Sequence, residues 1–321
     1  MLSAAAHSRA SAVRPETRSP GREPLRLVPG RVSLLLVANA NASGLNGNRE
    51  AVDRAASLLR GFGAKVEARW TGSPGEFDEL VSEEERRVVL VGGDGTVHAL
   101  VNAHGHMPEV ALLPRGRANN IAHSLGLPLD LRAAARLAVN GTAAPLDGIS
   151  VGAPGLAMTA VEGVSVGFHA QARARYRGAN SADTAAGVAA ALSAFARFDP
   201  VSVALEVDGR CELRRLGQLF VVNFPLFGPR FRVAPGADPG DGALEVVELE
   251  AGRRSSLALA LARLRRGTLL GHKGVRIRPA RRIRIATRGR APVVADTTVF
   301  SSGPVDLAVR PDSFRLVAPM A

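Results

Sequence analysis

Hydrophobic positions along the chain fall into two textures, with a change near residue 143. In the first, Val88 to Val91 and Val110 to Leu113 are apolar at consecutive positions, and Val32 to Val37 at every position but Ser33, which suits strands covered on both faces. Lys65 to Trp70 is read as a further strand. Between the strands, Asn48 to Leu59 places Val52, Ala55, Ala56 and Leu59 on one helical face. Ser73-Pro74-Gly75-Glu76 reads as a capping box with proline at the first helical position. Further helices are expected after Gly92, through Leu125 and from Leu131 to Val139. Alternation of this kind predicts an α/β domain with a parallel, doubly wound sheet over residues 31–143. From Pro145 onward extended segments dominate, at Ser202 to Val207, Leu219 to Phe224 and Leu244 to Leu249, with helices near Thr184 to Phe195 and Ser256 to Arg265. That half reads as an antiparallel, β-rich domain over residues 144–309. Residues 1–30, rich in Ser, Arg and Pro with no apolar period, read as a disordered tail. Arg31, the run Val32 to Val37 and Ala38-Asn39-Ala40 also have the outline of a signal peptide with its cleavage site. Cleavage there would delete the first strand, so the strand reading is preferred.

The run Val88-Val89-Leu90-Val91 ends in Gly92-Gly93-Asp94-Gly95-Thr96, the pattern of a buried strand feeding a phosphate-binding turn. Glycine lets backbone N–H groups approach an anion, because no Cβ stands in the way. If Thr96 opens a helix, its N terminus faces the phosphate. Asp94 would repel bare phosphate, so it handles Mg²⁺ or orders the loop through its own hydrogen bonds. A plain strand-to-helix turn with Asp94 as N-cap is the simpler alternative. Two other strand ends deliver small and amide residues to loops: Ala38-Asn39-Ala40-Asn41-Ala42-Ser43-Gly44, and Pro114-Arg115-Gly116-Arg117-Ala118-Asn119-Asn120. In an open α/β sheet such carboxyl ends line one crevice. Lys65 and Lys273 are the only lysines and neither follows a glycine loop, which excludes a P-loop NTPase and a protein-kinase lysine strand. Asp241-Gly242, with Asp238 and the Ala243 carbonyl nearby, offers oxygen donors to Mg²⁺; a β-turn before Leu244 reads the same residues without a metal.

Taken in order, Asn39 to Gly44, Gly92 to Thr96, Pro114 to Pro128, Gly167 to Ala170, Asn223 to Gly228, Asp241 to Val246 and Asp296 to Thr298 resemble the motifs of the diacylglycerol kinase catalytic-domain family. Its soluble bacterial lipid kinases are relatives of sphingosine kinases. NAD kinases share G-G-D-G-T, but the motifs at Asp241 and at the C-terminal end favour the lipid branch. The resemblance runs from about residue 31 to the C-terminal end. It implies a Rossmann-like α/β domain, a C-terminal β-sandwich, a return segment 310–321 that rejoins the first domain, and an active site between the two. It implies an ATP- and Mg²⁺-dependent transfer to the hydroxyl of diacylglycerol or a similar lipid, giving a phosphatidate-like product. Asn39, Thr71, Gly92, Gly93, Asp94, Gly95, Thr96 and Asn119 would hold nucleotide and metal, and Arg117 would neutralise phosphate charge. Thr71 also reads as a residue before a turn, and Asn119 as a helix cap.

Several positions depart from the family. Ala40 replaces a proline, Arg117 a threonine, and His98-Ala99 the usual Asn-Glu. The family's D-G-E becomes Asp296-Thr297-Thr298, and its glutamate is the family's proton acceptor. Asp296 is the remaining carboxylate, so Asp296 as base and Asp94 are the catalytic assignments. Loss of the glutamate leaves open a catalytically weak lipid- or nucleotide-binding relative; a sphingoid-base kinase is a third reading.

With 41 basic against 29 acidic residues the chain carries a net charge of +12, and from Ala251 to Ala295 there are thirteen Lys or Arg and no Asp or Glu. That run suits an anionic lipid surface. Arginine-rich composition throughout the chain explains it without a partner, and nucleic acid is disfavoured because no reader motif accompanies the charge. No stretch of eighteen apolar residues exists, so no spanning helix is expected. The single Cys211 cannot form an internal disulfide, which favours a reducing compartment or a chain that needs no staple. The expectation is a cytoplasmic enzyme resting peripherally on the inner membrane face, with a homodimer left open. Histidines 98, 104, 106, 123, 169 and 272 show no metal-ligand spacing and are read as non-catalytic.

Overall fold

The computed structural model describes residues 32–40, 45, 47–82, 84–103, 107–176, 184–289, 291–301 and 303–319. The expected tail 1–30, Asn41 to Gly44, His104 and His106 lie outside the described residues. From Val32 onward the chain is one compact unit.

Its first half runs β1 (Ser33–Asn39), α1 (Arg49–Gly61), β2 (Lys65–Thr71), α2 (Pro74–Val81), β3 (Arg87–Gly92), α3 (Asp94–Val101), β4 (Glu109–Pro114), α4 (Asn120–Ser124) and α5 (Leu131–Asn140). The four strands pair in parallel in the order β2-β1-β3-β4. Along β1 and β3 the side chains alternate between two cores. Leu34, Leu36, Val89 and Val91 pack under α1 and α5, whereas Leu35, Val37, Val88 and Leu90 pack under α2, α3 and α4. Helices on both faces explain why Leu34 to Ala38 of β1 and Val88 to Val91 of β3 are apolar at every position. Asn48 caps α1 through Oδ1, which accepts from Ala51 N at 3.1 Å. Ser73 caps α2, while Glu76 reaches past it to accept from Gly72 N at 2.7 Å. The order of strands reverses at β1: β2 lies to one side, β3 and β4 to the other. Ligands bind at the carboxyl ends flanking such a switch point, which here are Asn39 and Gly92.

The second half runs β5 (Thr142–Ala153), β6 (Leu156–Ala160), β7 (Gly163–Gly167), α6 (Phe168–Arg175), α7 (Thr184–Ala196), β8 (Val201–Val207), β9 (Arg210–Val222), β10 (Leu226–Phe227), β11 (Phe231–Arg232), β12 (Leu244–Glu250), α8 (Arg254–Arg266), β13 (Val275–Ala280), β14 (Arg282–Thr287), β15 (Val293–Ala295), β16 (Thr298–Phe300) and β17 (Val305–Ala318). It is a β-rich sandwich around Ile149, Val164, Leu205, Leu219, Val246 and Ile285. A separate apolar layer, which includes Phe168, Phe198, Phe220, Leu257 and Leu264, lies under α7 and α8. β17 serves both halves. It pairs antiparallel with β14 and β5, then parallel with β4 through Arg315 and Leu316. The boundary expected at 309 therefore falls inside one strand. Helix α3 begins at Asp94 rather than Thr96, because Gly93 already takes the N-cap position.

Candidate active site

The glycine turn after β3 and the loop after β4 meet backbone to backbone. A Cβ on Gly93 would sit 2.5 Å from Gly116 Cα, and one on Gly116 would sit 2.6 Å from Gly93 Cα. Only glycine on both sides permits that approach. Asp94 then ties the loops together: Oδ2 accepts from Asn120 N and Oδ1 from Ile121 N, each at 3.0 Å. Asp94 thus satisfies the N terminus of α4 from another loop, and of its expected tasks the ordering one is what its geometry performs. Asn119, at the N-cap of α4 with φ of 49°, makes no cap bond. Its side chain turns back to Gly116, accepting from N and donating to O, each at 2.9 Å. The expected capping bond from Asn119 is therefore absent, and Asp94 supplies it.

A cavity of about 820 Å³ opens where these loops face the β-rich half. Of the expected nucleotide and catalytic residues, Asn39, Gly93, Asp94, Gly95, Thr96, Arg117 and Asp296 line it. Gly92 and Thr71 stand one layer back: a Cβ on Gly92 would strike Thr96 Oγ1, and buried Thr71 pairs in register with Asn39. Asn119 is also off the lining. The first turn of α3 opens onto the cavity; Thr96 N donates to Gly93 O at 2.9 Å, and the N–H groups before it precede the helix's own bonds and face an anion site. At its far end the cavity is apolar, walled by Phe168 and Tyr176, by Val188 and Ala191 of α7, and by Leu257 and Leu261 of α8.

Asp296 does not have the free carboxylate that a base requires. Its side chain is 1% exposed; Oδ2 accepts from Val161 N at 2.7 Å, and Oδ1 from Glu162 N at 2.9 Å and Gly163 N at 3.1 Å. With φ of 49°, Asp296 pins the turn before β7. Thr298 is exposed and lies off the lining, while its neighbour Thr297 lies on it. Asp238 and Asp241 are exposed on a turn, where their side chains accept from Gly240 N and Ala243 N. This turn and Ala243 also lie off the cavity lining, and among the described residues no group of three His, Cys, Asp or Glu is placed to hold a metal ion.

Two residues missed in the sequence complete the polar end. His98 and Glu162 are both buried and both line the cavity. His98 Nε2 lies 3.2 Å from Glu162 Oε1 and 3.6 Å from Asp296 Oδ2, yet neither ring nitrogen makes a well-directed hydrogen bond. Glu162 Oε2 accepts from Asn120 Nδ2 at 2.7 Å. Burial by itself would lower the His98 pKa, but the carboxylates of Asp296 and Glu162 outweigh it and push it up to about 9. Burial raises Glu162 to about 7 despite the neighbouring imidazole. His169 is a different case: burial, helped by Arg173, lowers it to about 4, and it sits neutral against Ser165. The only sequence signal for His98 was that it stands where the family carries Asn; Glu162 had none.

Fold and cavity together define a two-lobed protein whose parallel sheet presents glycine loops to a long, partly apolar chamber. Residues 33–151 match the family described as "Diacylglycerol kinase catalytic domain", and residues 162–318 match "YegS C-terminal NAD kinase beta sandwich-like domain". The first match takes in the α/β half of the chain and the second the β-rich half. It is 34% identical over 122 residues to a protein of Escherichia fergusonii named "Probable lipid kinase YegS". That match covers 35% of this chain and 40% of the relative's length. Among solved structures, a putative diacylglycerol kinase from Bacillus anthracis superposes with a TM-score of 0.69 at 17% identity, over 89% of this chain and 95% of that one. An NAD kinase from Archaeoglobus fulgidus in complex with ATP superposes at 0.50 and 16% identity, over 89% and 92%. At such identities the likeness is one of fold.

Proposed function

We propose that this chain is an ATP-dependent lipid kinase that phosphorylates the hydroxyl of diacylglycerol or a similar lipid. The observation that carries the reading is the continuity of the cavity, from the α3 N terminus to the apolar walls of α7 and α8. An amphipathic substrate fits such a chamber, with its chains among apolar side chains and its hydroxyl at the glycine loops. A bound nucleoside triphosphate supplies the γ-phosphoryl group. Gly93 to Thr96 would cradle its phosphates, Arg117 would offset their charge, and Asn39 with Thr71 behind it would shape the nucleotide side of the crevice. Transfer of this kind depends mainly on positioning and charge stabilisation. Mg²⁺ would supply further neutralisation. Asp238 and Asp241 each keep an oxygen free at the surface, a hard donor set that suits a hydrated Mg²⁺, and their place outside the cavity fits bracing of that loop.

The surface around α8 supports peripheral lipid contact. Arg276 and Arg278 pair with Glu212, and Arg284 with Asp306. Arg253, Arg254 and Arg266 are exposed, as are Leu259 and Leu270 at 51% and 40%. No helix among the described residues is long and apolar enough to cross a membrane. The replacement at Thr298 favours one alternative, a catalytically weak relative. The deciding experiment uses purified protein, labelled ATP, Mg²⁺ and a panel of lipid hydroxyls in mixed micelles. Transfer to a diacylglycerol-like acceptor is expected. Nucleotide binding without transfer to any lipid would establish the weak relative instead.

A further inference from the structure

We propose that Glu162 is the proton acceptor of the transfer, with His98 as its positioning partner, so that the turn before β7 does the work the family's missing glutamate would do from position 298. The proposal rests on the kinase reading above. Its first support is elimination by geometry. Of the four carboxylates considered for the site, Asp94 and Asp296 have their oxygens committed to backbone amides, and Asp238 and Asp241 lie off the cavity. Glu162 alone lines it with one oxygen engaged only by the His98 ring.

Its second support is the construction around that carboxylate. Asn120 Nδ2 donates to Glu162 Oε2 and, at 2.8 Å, to the Gly228 carbonyl, which fixes Glu162 between the α4 loop and the β10 turn. Both ring nitrogens of His98 are buried without a hydrogen bond. An imidazole so placed is costly unless it serves the charge beside it. Three ionisable groups face Glu162: His98 within α3, Asp94 at the start of that helix, and Asp296 from the turn after β15. A protonated His98 offsets the repulsion from the two aspartates and keeps Glu162 able to ionise.

The step balances. The lipid O–H bond breaks as its proton passes to the Glu162 carboxylate. The freed oxygen forms a bond to the γ-phosphorus, and the bond from that phosphorus to the β,γ-bridging oxygen breaks, releasing ADP.

The test compares wild type with Glu162→Gln and His98→Asn in kcat against pH, alongside nucleotide binding. Glu162→Gln can keep the bond from Asn120, and a drop in kcat of roughly 10²- to 10⁴-fold is expected with nucleotide affinity retained. Wild-type kcat should rise with pH through about 7. His98→Asn should shift that rise to higher pH, a change that lost packing alone would not produce. Wild-type turnover that is flat in pH from about 5.5 to 8.5 overturns the proposal even if a variant fails to fold, and so does full activity in Glu162→Gln. Wild type that phosphorylates no lipid hydroxyl overturns the kinase reading itself.

Discussion

Asp94 and Asp296 are acidic residues in glycine- or threonine-rich turns, and each spends its carboxylate on amides of a segment distant in sequence. Asp94→Ala would leave the amides of Asn120 and Ile121 without their acceptor, at a cost of about 1–3 kcal/mol for each buried group left unpaired. Turnover should fall at least roughly 100-fold as the two loops separate. Denaturant unfolding and steady-state rates check both, and near wild-type turnover would remove Asp94 from the site. Gly116→Ala places a methyl 2.6 Å from Gly93 Cα. It should destabilise by about 1–3 kcal/mol through backbone displacement and weaken nucleotide binding, both measurable in one calorimetric series. Asp296→Asn should lower stability, because an amide cannot accept from three N–H groups as the carboxylate does. Thr298→Glu should give no gain in rate, since that side chain is exposed outside the cavity. A rate increase in Thr298→Glu would return the base to position 298.

Helices α7 and α8 wall the apolar part of the cavity and also carry exposed apolar residues. Val188 and Leu192 on α7 are 54% and 64% exposed, while Leu257 and Leu264 of α8 point inward. If the helices rest on lipid, removing the charges of Arg253, Arg254 and Arg266 should cost roughly 1 kcal/mol each at an anionic surface. Together that is about a hundredfold in vesicle partitioning at low salt. Equal binding of wild type to neutral and anionic vesicles would dismiss electrostatic docking. Elements differed in how readily their sequences revealed them. The strands β1, β3 and β4 are buried on both faces, so their apolar runs stand out. β5 contains Pro145 and Gly148, and β7 begins and ends in glycine; neither carries a run or an alternation that separates it from loop. They hold because β17 and β9 supply their hydrogen bonds.

The whole molecule should show a stability maximum near neutral pH. Glu162 is raised from 4.5 to about 7, so between those values the folded chain keeps a proton that the unfolded chain releases, and stability falls as pH rises. His98, raised from 6.5 to about 9, extends that fall upward. His169, lowered from 6.5 to about 4, and His123, lowered by burial, act in the opposite sense below 6.5. The opposing contributions offset one another on the acid side, so the unfolding temperature should peak near pH 6.5 and decline toward 9. Replacing both members of the pair, with His98→Asn and Glu162→Gln in one chain, should flatten that decline, and an unchanged slope would show that the pair is not its source. The sequence alone determined the α/β-then-β order, the glycine loops, the switch-point crevice and the resemblance to a kinase family, because periodicity, turn chemistry and short motifs are local and each residue carries its own part. Tertiary structure decided the rest. Glu162 reaches His98 and Asn120, and Asp94 reaches α4, across loops dozens of residues apart. β17 joins the two halves through strand pairing whose register is set by partners far away in the chain. Whether a carboxylate is a brace or a base depends on what else meets its oxygens, and only the packed chain brings those partners together.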